Sequence, residues 1–239
     1  MDVAGVRLTA LELGNEINTS GYNGDIPEPG TGRVLGLSDL NNPDDPEALA
    51  IVAGFRNYLR VMAALKDVRD HSKVNQATPI ILAGIADWGL PSPKAWDGQL
   101  GVSLPDTIAF LRQNGLDKLA DGYGVHVYPT GNPQADMAAR IRELDGKKIF
   151  SECGHGAKPC WLTEWGVNNA SQSCPIDDAK RKQAIEAERE ALSQYVRQGQ
   201  LTAVIWFNWA GLPGPKEDAS AIYRCGALTD AGKLALSPM

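Results

Sequence analysis

Phosphate-cradling loops are missing from this sequence: no Gly-x-Gly-x-x-Gly follows the first apolar strand, and no Gly-x-x-x-x-Gly-Lys-Ser/Thr occurs. Such turns let backbone N–H groups close on a pyrophosphate at a helix N-terminus, so their absence disfavours an open nucleotide-binding sheet. Positive charge is also short. Lys and Arg number 23 against 29 Asp and Glu, giving a net charge of −6 and a pI near 5.1. A nucleic-acid partner needs clustered cations; a neutral substrate fits better. No run of about 18 apolar residues marks a span, so no membrane partner is expected. The start Met1-Asp2-Val3 has neither the basic nor the apolar region of a signal peptide.

What is present is enough apolar material for one core. The 239 residues are 43% hydrophobic and show no linker or internal repeat, so residues 1–239 are expected to form a single domain. The four cysteines, Cys153, Cys160, Cys174 and Cys225, form an even set compatible with two disulfides and an extracellular or periplasmic location. Cys153, His155 and Cys160 also have the chemistry of metal ligands, but the glycine-rich spacing equally suits a disulfide-closed hairpin, and no metal or other cofactor is expected.

Apolar runs and helical patterns alternate along the chain. Val6 to Leu13 reads as a strand ending before Glu16, followed by a loop over Gly21 to Asn42 that is rich in Gly, Pro, Asn and Asp. Asp45-Pro46-Glu47 supplies an N-cap, a first-turn proline and an early acid, and Leu49, Val52, Phe55, Leu59, Met62 and Leu65 then recur at helical spacing. Thr78 to Gly84, Tyr123 to Tyr128, Cys160 to Thr163 and Thr202 to Asn208 are expected as further strands. Helices are expected over Pro105 to Leu119, Pro133 to Leu144 and Ile176 to Gln198, with a short one over Asp230 to Leu236. This alternation implies right-handed crossovers and an α/β fold with a parallel sheet, whose polar and aromatic residues gather at the strands' C-terminal ends.

Two of those ends carry glutamates. Glu16 lies in Leu13-Gly14-Asn15-Glu16-Ile17-Asn18 and Glu164 in Trp161-Leu162-Thr163-Glu164-Trp165-Gly166. Retaining cleavage of a glycosidic bond needs one carboxyl to protonate the leaving oxygen and another to attack the anomeric carbon, about 5 to 5.5 Å apart. An isolated Asn-Glu or Glu-Trp is common in any sequence; the ordered combination carries the signal. His126 reads equally as a core histidine or a site residue, with Tyr128 on the same strand face. Trp206 and Trp209 suit either a core or the face of a pyranose ring. Trp88 and Trp96 sit in a proline-rich loop and are given no role.

On these motifs the chain resembles the large clan of (β/α)8 retaining glycoside hydrolases, clan A, that includes many cellulases, xylanases, mannanases and β-glucosidases. In that clan an Asn-Glu pair ends the fourth strand and a glutamate nucleophile ends the seventh. The resemblance therefore implies Glu16 as acid/base, Asn15 as a ligand of the sugar 2-hydroxyl and Glu164 as nucleophile. It also implies His126 and Tyr128 as substrate-binding residues on the sixth strand, and Trp206 as a sugar platform on the eighth. The implied activity is hydrolysis of β-glycosidic bonds in a β-glucoside, glucan or xylan.

The match runs from strand four to strand eight, so a partial TIM-type (β/α) barrel is expected: about five parallel strands with four helices, lacking the first three strands. Those strands usually contribute sugar ligands, often an arginine near the nucleophile, and none can be carried over. Terminal strands with unpaired backbone groups favour association, so a homodimer or a partner completing the barrel is expected. The rival reading is a half-barrel that binds carbohydrate without turnover.

Overall fold

The computed structural model describes residues 2–87, 89, 91–94, 98–128, 150, 153–154, 157–169, 171–211 and 218–239. It is an α/β fold of the partial-barrel type, built on a five-stranded parallel sheet. Its strands are β1 (Leu11–Asn15), β3 (Ile80–Ile85), β5 (Gly122–Val127), β6 (Cys160–Trp165) and β7 (Leu201–Trp206), neighbours in that order. By backbone proximity the chain divides into two compact units, Met1–Val125 with His155–Trp161, and His126–Gly154 with Leu162–Met239. The division cuts through β5 and β6, where no change in composition marks it.

In the first unit, β3 is buried at all six positions, as a parallel strand covered on both faces must be. The segment Val6 to Ala10, expected as strand, makes no ladder: Leu8 N–H donates to Asn75 Oδ1 at 2.8 Å, and Asn75 Nδ2 donates to Val6 O at 2.9 Å. A side-chain amide thus replaces the strand partner, and β1 begins only at Leu11. The expected loop over Gly21 to Asn42 holds two short elements, β2 (Val34–Leu35) and helix α1 (Leu37–Leu40). There β2 pairs in parallel with β4 (Gly101–Val102). Too few residues take part for any periodicity to be visible in the sequence.

Helix α2 (Pro46–Asp70) starts as its sequence dictates, the Asp45 carboxylate accepting from Glu47 and Ala48 N–H groups. Its buried face is Ala48, Ile51, Val52, Phe55, Leu59 and Met62, whereas Leu49 is exposed. The expected stripe therefore excludes Leu49, which lies on the exposed side of the helix next to buried Ala48. By length and composition α2 alone among the described helices is apolar enough to cross a membrane. Its one-sided burial is that of a core helix: Phe55 meets Phe110 of α3 (Leu104–Gln113), and the Tyr58 hydroxyl bridges Leu13 O and Ala83 N, both at 2.9 Å. Helix α3 stops short of the expected Leu119 because Gly115 adopts φ +99°, after which Leu116–Lys118 form a 3-10 turn.

In the second unit, helix α4 (Ala179–Arg197) packs on helix α5 (Asp230–Ala235), and hairpin strands β8 (Tyr223–Arg224) and β9 (Ala227–Leu228) lie between them in sequence. Buried Arg181 of α4 donates to Ala219 O and Ala221 O and pairs with Asp178 at 3.0 Å. A disulfide joins Cys174 to Cys225, and none of the four cysteines is free. Cys153 and Cys160 are also disulfide-bonded, so neither offers a metal a thiolate; His155 lies outside the described residues. The expected helix over Pro133 to Leu144, and Trp88 and Trp96, also lie outside them.

Two outcomes test this packing. A Cβ at Gly124 of β5 would lie 2.4 Å from Leu82 O and 2.7 Å from Gly84 N, so Gly124→Ala should cost about 1–3 kcal/mol, read as a lower urea midpoint. Glu188 of α4 is buried and desolvation raises its pKa well above 4.5, so the folded chain keeps a proton that the unfolded chain loses. Stability should then fall as pH rises above about 4.5. Glu188→Gln should match the wild-type Tm near pH 4 and exceed it at pH 8.

Candidate active site

In the first unit the chain turns sharply at the C-terminal end of β1. Gly14 takes φ +84° and Glu16 φ +43°, a left-handed conformation that a glutamate adopts only against its local preference. Tertiary contacts hold it there. The Glu16 N–H donates to Gly84 O at 2.8 Å, continuing the ladder to the end of β3. Two residues on, Asn18 is fully buried: its Nδ2 donates to Ala86 O and Val102 O, both at 2.8 Å, and its Oδ1 accepts from Ala86 N at 3.0 Å. One side chain thus ties the Glu16 turn to the loop after β3 and to β4. Asn15 and Glu16 themselves are half-buried. Sequence reasoning attached no role to Asn18; an asparagine two residues after the glutamate was its only signal.

In the second unit Glu164 occupies β6, one residue further into the strand than expected, with its side chain 25% exposed. The Tyr128 hydroxyl donates to Glu164 Oε2 at 2.5 Å. Buried His126 places Nδ1 3.6 Å from the same oxygen, beyond hydrogen-bond distance yet close enough for charge interaction when the ring is protonated. The structure therefore brings His126, Tyr128 and Glu164 together. A carboxylate oriented by a phenol keeps one oxygen held while the other remains a nucleophile or acceptor.

Trp206, expected as a stacking face, is only 9% exposed. Its Nε1 donates to Ser220 O at 3.1 Å, the Arg181 guanidinium lies 5.6 Å from the ring centroid, and Trp165 meets it edge-on at 4.9 Å. The exposed aromatics are the next ones along the chain. Phe207, 43% exposed, meets Tyr128 edge-to-face at 6.4 Å, and Trp209, 56% exposed, stacks on Tyr223 at 5.6 Å. Burial alternates here, with Ile205 and Phe207 exposed on either side of buried Trp206, and the sequence does not tell which of the two faces is covered.

No family model matches the chain, and no curated protein matches it. Solved structures do. A GH128 (subgroup II) endo-β-1,3-glucanase from Sorangium cellulosum aligns over 95% of this chain and 69% of its own, with 18% identity and a TM-score of 0.50. A structure of fungal β-1,4-galactanases aligns over 98% of this chain and 63% of its own, with 16% identity and a TM-score of 0.56. The chain thus spans about two thirds of the length of each. At such identities the likeness is one of fold, the barrel fold of these glycosidases, and does not single out strands four to eight of one clan.

Truncating Asn18 to Ala would strip partners from three buried backbone groups. The variant should lose about 1–3 kcal/mol of stability, measured by thermal or urea unfolding.

Proposed function

We propose that the protein is a retaining β-glycosidase acting on a β-glucoside, glucan or xylan, with Glu164 as nucleophile and Glu16 as acid/base. The observation that supports this most is the held carboxylate of Glu164, fixed by the Tyr128 hydroxyl at the C-terminal end of a parallel strand. Chemistry in β/α barrels is gathered at such ends. Glu16, in its left-handed turn at the end of β1, belongs to the same class of position. The glycosidase fold of the two aligned structures agrees with the reading without identifying a substrate.

In the proposed cycle a Glu164 oxygen attacks the anomeric carbon as the bond to the aglycone oxygen breaks, and Glu16 gives that oxygen its proton. Glu16 then takes a proton from water, the water oxygen bonds to the anomeric carbon, and Glu164 leaves as carboxylate. Tyr128 orients the nucleophile throughout, and its proton stays on the phenol. Asn15 is assigned to the 2-hydroxyl. Phe207 replaces Trp206 as the aromatic wall, because its ring is open to solvent while that of Trp206 is covered. The bonded cysteines fit an oxidising compartment, and the terminal strands β1 and β7 fit a homodimer or a completing partner. That last feature also sustains a second reading, a half-barrel that binds carbohydrate without turnover.

Intact-mass analysis after incubation with 2-deoxy-2-fluoro β-glycosides separates the two. A covalent adduct mapped to Glu164, and lost in Glu164→Gln, is expected. Tyr128→Phe should slow turnover roughly 10- to 100-fold by removing a hydrogen bond to a charged group. Oligosaccharide binding with no adduct from any probe would leave the half-barrel as the better account.

A further inference from the structure

Beside the Tyr128–Glu164 pair, and wholly within the second unit, lies a cavity of about 360 Å³ walled by Tyr128, Asn168, Phe207 and Asp218. Its shape depends on Gly166: a Cβ there would stand 2.7 Å from Phe207 O. The far wall is pinned by the Asn169 N–H, which donates to Ala219 O at 2.8 Å.

Asp218 stands out on that wall. Its Oδ1 accepts from the Ser220 N–H at 2.8 Å and the Ser220 hydroxyl at 2.6 Å, which fixes the plane of the carboxylate. Those bonds also hold its pKa below the ordinary carboxylate value, so it is charged at neutral pH. Among the described residues the one side-chain partner of Oδ2 is a long 3.4 Å contact from Asn208 Nδ2, and the Ala221 N–H also interacts with the carboxylate. No lysine or arginine is found among the described residues of the wall.

We propose that Asp218 is the specificity-determining residue of this cavity, accepting hydrogen bonds from hydroxyls of a neutral pyranose and rejecting a sugar that carries a carboxylate. A fixed, ionised oxygen with lone pairs to spare is a strong acceptor for sugar O–H groups. The apolar ring of Phe207 offers a wall for the C–H face of the same sugar. A uronic acid would set a second negative charge beside Asp218 and Glu164 with no lysine or arginine among the described residues of the wall to offset it, a like-charge contact that costs binding in a partly dehydrated site. The inference rests on the glycosidase reading only for the ligand being a β-glycoside; it needs no turnover.

The test is therefore binding. Titration calorimetry on Glu164→Gln, and on Glu164→Gln combined with Asp218→Asn, would use 4-nitrophenyl β-D-glucoside, β-D-xyloside, β-D-galactoside and β-D-glucuronide. Glu164→Gln should bind at least one neutral glycoside and bind the glucuronide at least 10-fold more weakly. Asp218→Asn should weaken the neutral ligand about 10- to 100-fold and narrow the gap to the glucuronide. Equal binding of glucoside and glucuronide before any change at Asp218 would overturn the assignment, and needs no fold of the second variant. So would neutral-ligand affinity unaffected by Asp218→Asn. Selective neutral binding without a fluoroglycoside adduct on the wild type would sink the catalytic reading and leave the role of Asp218 standing. No binding of any glycoside would sink both.

Discussion

Burial of inner parallel strands on both faces is the constraint from which the rest of this structure follows. Every position of β3 and β5 is buried, which leaves almost no room for polar groups along their length. Glycine is used where even that space runs short: a Cβ at Gly122 would lie 2.8 Å from the Trp161 ring, and one at Gly124 would strike the backbone of β3. Polar chemistry is displaced to the strand ends, where a carboxylate keeps part of its hydration. Glu16 follows β1, and Glu164 comes one residue before the end of β6.

Holding a carboxylate at such an end is a different task in the two units. Around Glu16 the backbone does the work, through two left-handed residues and a buried asparagine that satisfies three backbone groups at once. Around Glu164 side chains do it, with Tyr128 donating to one oxygen and His126 close by. Arg181 serves the surroundings of the second site in a comparable way. It donates to the carbonyls of Ala219 and Ala221 and lies over Trp206, whose indole N–H reaches Ser220. The segment that carries Asp218 is thereby tied to helix α4.

Much of this is written in the sequence. Asp45-Pro46-Glu47 dictates the start of α2, because an N-cap acceptor, a residue lacking an N–H and an early acid each suit an N-terminus. The apolar runs at Ile80, Tyr123 and Cys160 mark three strands within one or two residues, and the Asn-Glu and Glu-Trp motifs place both glutamates at strand ends. Where local pattern and long-range contact disagree, the pattern misleads. Val6 to Ala10 alternates like a strand yet is held by Asn75, almost 70 residues away in sequence.

The sequence by itself determined the α/β class, the order of the main elements and the position of the two glutamates at strand ends, because each depends on periodicity or on a motif a few residues long. Only the tertiary structure decided which aromatic is exposed, that Tyr128 holds Glu164, and that Asp218 walls the neighbouring cavity. Those depend on which side chains meet across tens of residues: Arg181, Trp165 and Ser220 cover Trp206, which leaves the open ring to Phe207.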